Sequence, residues 1–215
     1  MPNPLYLQRH HQYFLGILRE LEVECQKRPA WVFLCCSAMI EYLAKMSVDP
    51  AILPLPSDAQ AYMTFIETRM PSTYRDFEYL VTHPTLPPFG SPAGTTATSR
   101  RDLPLQMYCI LRCGLVHSFS MYPNPRYTTH GPGRFARPRS IVLTHRRRRN
   151  QIGVVHLENY AGLNGNLDSA QFVLQDFISD IRTAINALFL AARNDTHLRQ
   201  VIRSNLSTQP PLNIV

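Results

Sequence analysis

Long apolar runs are missing from this chain. The richest, AWVFLCCSAMI, covers residues 30–40 and stops at Glu41, about half of the roughly 20 apolar residues that a membrane-spanning helix needs. It reads as a core helix. The opening MPNPLYLQRHH has no apolar stretch of the secretory kind, so a cytoplasmic protein with no membrane partner is expected. Glycine is scarce, nine residues against eighteen prolines. That balance implies stiff, extended loops, and neither a Gly-rich phosphate loop nor a nucleotide fingerprint is present. No Ser-His-Asp pattern appears either. The five cysteines are Cys25, Cys35, Cys36, Cys109 and Cys113. Their number is odd, they form no CxxC pair, and none has a histidine at zinc-finger spacing. They are expected to be free thiols in a reducing compartment. The histidines have no clustered carboxylates beside them. His145 and His156 face each other only in a symmetric hairpin, so no metal and no cofactor are expected.

Acidic residues are also absent where basic ones gather. The net charge is +7, and residues 126–149 hold eight arginines with neither Asp nor Glu. A localised positive charge suits a polyanion, because each phosphate contact releases counterions. The alternative is a solvated basic loop whose four consecutive arginines, Arg146, Arg147, Arg148 and Arg149, prevent edge association of a hairpin.

The chain is 45% hydrophobic over 215 residues, enough for one core in a single domain. The periodicity predicts a mainly α fold. Residues 5–28 carry a stripe of Tyr6, Tyr13, Phe14, Ile17, Leu18 and Leu21 at helical spacing, ended by Pro29. Residues 30–47 form a second helix, apolar over most of its surface and therefore central. Ser57 is placed to cap a third helix over 58–70, and a fourth is expected over 72–82. Residues 83–100 read as a long surface loop. A helix over 103–119 follows, with Asp102 before it and Pro104 in its first turn, where proline is tolerated. Two β-branched segments, SIVLTH and IGVVHLENY, then flank RRRRNQ and predict a β-hairpin insertion at about 138–160. Apolar residues from Phe172 to Phe189 predict a long helix over 167–194. A short helical turn over 197–204 completes a domain spanning 1–204, and residues 205–215 form a polar tail.

One segment carries chemistry. LRCGLVHSF holds Arg112, four residues, then His117. This resembles the HEPN superfamily, helical-bundle proteins whose signature is Arg, four to six residues, His. The wider order agrees: an apolar second helix bearing Glu41, the signature helix after a loop, a hairpin insertion, and a long closing helix. The resemblance implies an up-and-down bundle covering most of residues 5–194. It also implies a metal-independent endoribonuclease acting on single-stranded RNA as a homodimer, of the toxin or defence kind. In that reading Arg112 and His117 are catalytic, Glu41 and Cys113 support them, and the four hairpin arginines draw in RNA. The chemistry suits these residue types. Histidine moves protons near neutral pH, while arginine offers a charged planar fork to phosphorane oxygens. Five residues on an α-helix leave Arg112 and His117 some 140° apart, so a complete site needs a facing copy. Nuclease members often have a polar residue where Cys113 stands. That departure favours the alternative, a non-catalytic interaction module binding nucleic acid or a partner protein. From the residues alone, Arg112 can equally be a buried partner of Glu41 with a packing role.

Overall fold

Helix α2, Pro29–Met46, is apolar on nearly every side and occupies the middle of the molecule. Val32, Phe33, Cys36, Met39, Ile40, Leu43 and Ala44 are all buried, while Trp31 and Ala38 lie exposed on the remaining flank, so most but not all of the helix surface is covered. The computed structural model describes residues 4–75, 78–83, 97–108, 111–112, 141–144, 154–162 and 165–208. Around α2 pack α1 (Pro4–Glu24), α3 (Asp58–Arg69), α6 (Leu174–Asn194) and α7 (Thr196–Thr208). Helices account for most of the described residues, so the chain is mainly α. Among the described residues no helix is long and apolar enough to cross a membrane.

The amphipathic stripe of α1 buries Leu7, Phe14, Leu18 and Leu21 against α6. That helix presents Phe177, Ile178, Ile181, Ile185, Leu188 and Phe189. Arg182 on α6 ties the two further by an ion pair to Glu22 at 2.6 Å. Trp31, part of the helix expected to be central, is 45% exposed; it lies in the first turn of α2, where one flank remains solvated. The turn into α3 follows the sequence closely. The Ser57 side chain accepts from the Gln60 amide at 3.3 Å, and the Ser57 amide donates to Gln60 Oε1 at 2.9 Å. This reciprocal cap satisfies two otherwise orphaned N–H groups.

Helix α7 is longer than the expected turn and closes the bundle over the C-terminus of α2. Its Asn205 donates from Nδ2 to the carbonyls of Lys45 (3.2 Å), Met46 (3.0 Å) and Val48 (2.7 Å). Terminal carbonyls of a helix have no partner within it, so one amide bridges two distant parts of the chain. Asn205→Ala is expected to cost roughly 1–3 kcal/mol, since it leaves part-buried acceptors unsatisfied. Urea unfolding of the two proteins reads this directly.

Between these helices the chain departs from its expected course. The helix expected over 72–82 is one turn, α4 (Ser72–Arg75), followed by β1 (Glu78–His83). The run EYLVT is aromatic and β-branched, which suits a pleated strand better than a helix. Its partner β2 (Ala97–Asp102) comes from the end of the supposed loop, paired antiparallel with Glu78 opposite Asp102 and His83 opposite Ala97. The last long helix starts at Leu174 instead of 167, because Gly165–Val173 is strand β5. The expected hairpin is also replaced. Strands β3 (Ile141–Thr144) and β4 (Val154–Gly162) are not neighbours; β5 lies between them, parallel to β3 and antiparallel to β4. A central strand uses both rows of backbone groups, and this is how β5 satisfies its own. The basic tip, Arg146 to Arg149, and the tail from residue 209 lie outside the described residues.

Candidate functional site around Arg112

The signature helix begins as α5, Leu103–Gln106, directly after β2. Leu103, Met107 and Leu111 are buried and press it onto the bundle, with Pro104 in its first turn. At Met107, Tyr108, Leu111 and Arg112 the backbone follows the wider π-helical winding. Such winding is rare and occurs often at functional sites.

Arg112 leans back from this segment to α2 and grips Glu41 through a planar fork. Nε donates to Glu41 Oε2 at 2.6 Å, and Nη2 donates to Oε1 at 2.7 Å. The side chains are 15% and 13% exposed, so the pair is largely shielded and its geometry is the strong bidentate kind. The guanidinium also lies over the Tyr108 ring, 5.7 Å from its centre. Tyr108 meets Tyr62 edge-on at 5.5 Å, and the Tyr62 hydroxyl is 3.2 Å from Ser37 Oγ. On the other side Lys45 Nζ sits 3.0 Å from Glu41 Oε1 and 3.0 Å from Asp58 Oδ2. The result is a continuous polar line, Arg112–Glu41–Lys45–Asp58, crossing from the signature segment over α2 to the start of α3.

The three α2 members, Ser37, Glu41 and Lys45, follow one another at spacings of four and so share one face. Burial pushes the Glu41 carboxyl up, but the hydrogen bonds and charges of Arg112 and Lys45 outweigh it and hold the pKa below its usual value. Burial pushes the Lys45 ammonium down, but Glu41 and Asp58 together raise it above its usual value. Both groups are therefore fixed in their charged forms at neutral pH. Chemically, the line presents an oriented guanidinium with no proton to exchange. It can stabilise an anion, and general acid–base work has to come from another group.

Of the expected site residues, the structure brings together Arg112 and Glu41. His117, Cys113 and the four arginines at 146–149 lie outside the described residues. Lys45 and Asp58 were not anticipated. The Glu41-x3-Lys45 spacing, an i,i+4 pair of opposite charge, is the sequence signal for the first; Asp58 has none beyond its place in the first turn of α3. Three other histidines are engaged elsewhere. His10 Nδ1 donates to the Tyr6 carbonyl, His11 Nε2 to Asn186 Oδ1, and His197 Nε2 to Asp49 Oδ2. Among the described residues no group of three or more metal-ligating side chains forms. Cys25, Cys35 and Cys36 are free thiols, and burial pushes Cys36 well above the usual thiol range.

A second polar cluster lies inside the bundle. The fully buried Tyr74 hydroxyl donates to Asp180 Oδ2 at 2.7 Å. Burial raises the Asp180 pKa, the Tyr74 hydrogen bond partly offsets this, and the Asp176 charge adds to the rise. An acid whose folded pKa is raised loses stability as pH climbs from its ordinary value through the folded one. Asp180→Asn keeps an acceptor for Tyr74 and removes the charge. Its melting temperature is expected to exceed the wild type's at pH 7, with the two curves converging as the pH falls toward 4. A constant difference across that range contradicts the assignment.

No protein-family model matches the chain, and neither a curated protein nor a solved structure does.

Proposed function

We propose that this chain is a metal-independent endoribonuclease acting on single-stranded RNA as a homodimer, with Arg112 and His117 at its centre. The observation that carries the reading is the forked Glu41–Arg112 pair. It fixes the direction and charge of a guanidinium on the segment bearing the Arg-x4-His signature. A preorganised donor of this kind is what a developing phosphorane requires. In the reaction the 2′-oxygen attacks the adjacent phosphorus as a base removes its proton. The 5′-oxygen leaves with a proton from an acid, giving a 2′,3′-cyclic phosphate and a 5′-hydroxyl. His117 and its copy on a second chain supply the two proton transfers. Glu41 acts through Arg112 as a positioning residue, and the arginines at 146–149 attract the backbone.

The test is cleavage of single-stranded RNA in EDTA. His117→Ala and Arg112→Ala are each expected to lower the rate by about 10²–10⁴-fold. Equal rates in all three proteins overturn the reading, as does a strictly monomeric protein that still cleaves.

A second reading, a non-catalytic module that binds nucleic acid or a protein partner, is favoured by one observation. Both Nε and Nη2 of Arg112 are already committed to Glu41, which suits a packing role. It predicts salt-sensitive RNA binding through residues 146–149, no cleavage, and an affinity unchanged in His117→Ala.

A further inference from the structure

The flank of α2 that the bundle leaves open has the wrong composition for water. Trp31 is 45% exposed and Ala38 is exposed, while Leu34, Cys35 and Tyr42 are half-buried. At about 100° per residue these five positions fall within about 100° of arc, so they form one stripe along the helix. Residues 29–40 include no charged side chain. The neighbouring helices show what a solvated flank looks like. Exposed positions include Gln8, Arg9 and Gln12 on α1 and Gln175, Ser179 and Thr183 on α6, as an amphipathic surface helix requires. The stripe also extends sideways. Tyr42 meets Phe14 of α1 at 5.8 Å between ring centres, and the half-buried Tyr13 lies edge-on to Phe14 at 5.4 Å.

What the face lacks decides the class of partner. Charge depletion with Trp and Tyr present is the composition of a protein interface core. A nucleic-acid strand needs cations along its path, and the stripe meets none before Lys45, which Glu41 and Asp58 already hold. Its layout favours a second copy of the same chain. Ala38, the smallest of the five, has Leu34 and Tyr42 four residues to either side. A two-fold axis through Ala38 sets Leu34 opposite the partner's Tyr42 and lets two α2 helices approach closely, antiparallel. One further pair of turns out, the same axis sets the Trp31 ring opposite the partner's Lys45, whose side chain is 39% exposed, a cation facing an aromatic ring. The stripe also ends beside Glu41, which holds Arg112, in a site that one chain leaves incomplete.

We infer that the α2 flank from Trp31 to Tyr42 is the surface on which two copies of this chain pair, antiparallel across Ala38. With helix axes about 8–10 Å apart and a rise of about 1.5 Å per residue, the two Glu41 residues come within roughly 15 Å of each other, on opposite sides of the axis. Each holds its own Arg112, so the two guanidinium groups border one cleft. Use of that cleft as a shared active site rests on the ribonuclease reading; the pairing of the two faces does not.

Sedimentation equilibrium of the full chain reads the pairing directly. The wild type is expected to be a dimer at micromolar concentration. Ala38→Arg and Trp31→Arg each place a charge in the centre of the interface, twice over by symmetry, and are expected to weaken dimerisation about a hundredfold or more. Both positions are exposed, so the helical circular dichroism is expected to stay unchanged. Ala38→Cys gives a test that needs no loss of binding. Two cysteines at the axis lie within reach of a disulfide, and a mild thiol oxidant is expected to join the two copies there. Glu67→Cys, exposed on α3 away from the stripe, is expected to remain uncoupled. A monomeric wild type overturns the assignment, whether its face then proves to hold RNA or a different protein. So does a dimer indifferent to both arginines, or equal cross-linking at the two cysteines. A dimer that Ala38→Arg breaks but that cleaves no RNA refutes the ribonuclease reading and leaves the interface standing. RNA cleavage by a dimer indifferent to Ala38→Arg does the reverse.

Discussion

Glu41→Ala is expected to destabilise the fold by about 2–4 kcal/mol at neutral pH, because it strands a guanidinium inside the molecule. Arg112 is 15% exposed, so its charge cannot swing fully into water without unpacking the segment that carries it. A completely buried partner costs about 3–5 kcal/mol to remove, and the residual exposure here lowers the figure. Lys45 loses one of its two carboxylates in the same variant but is more exposed and keeps Asp58, so it adds little. The double variant Glu41→Ala, Arg112→Ala removes the stranded charge. It is expected to recover part of the loss, giving a coupling of roughly 1–3 kcal/mol in a double-mutant cycle. Additive losses contradict the pairing.

The pH dependence has a definite sign. The folded pKa of Glu41 lies below its ordinary value, so its stabilisation is present above the ordinary carboxylate range and is lost as pH falls through the folded pKa. The gap between wild type and Glu41→Ala therefore closes on acidification, through loss of wild-type stability. Asp180 has the opposite sign, because burial and the Asp176 charge raise its pKa more than the Tyr74 hydrogen bond lowers it. The two variants, titrated side by side, separate a carboxylate held by cations from one raised by burial and a like charge.

Much of the bundle was legible in the sequence because its signals are local. Pro29, the all-round apolarity of α2 and the Ser57–Gln60 cap each act within a turn or two of chain. The Glu41–Arg112 pair was legible in another way. A charge on a central apolar helix needs a partner, and an arginine on a second apolar segment was at hand. What escaped was non-local. Strand β5 continues the apolar spacing of α6 backwards, and Phe172 belongs to the core in either conformation. It is 1% exposed and meets Phe177 edge-on at 5.6 Å. Spacing cannot separate a helix from a strand when both bury the same residue. The choice is made by β3 and β4, whose backbones supply the partners. Asn205, placed by the sequence at the start of a polar tail, likewise gained its role from carbonyls at residues 45–48.

Arg112→Lys is expected to lower RNA cleavage by about 10²–10³-fold while leaving the fold nearly as stable as wild type. Lysine keeps the charge, and its ammonium can still reach Glu41, so the cost of stranding a carboxylate is avoided. It cannot reproduce the fork: an ammonium is a compact point charge, whereas the guanidinium holds Glu41 through two parallel donors in one fixed plane. A lysine drawn to Glu41 has no second edge to offer a phosphate. The loss is expected in kcat more than in KM, because charge built up only in the transition state is what the missing donors would have met. Single-turnover cleavage at a temperature well below both melting points is the measurement. If Arg112 serves packing alone, the lysine variant shifts the unfolding midpoint and leaves the rate untouched. If it orients a phosphate, the rate collapses in a protein that remains folded.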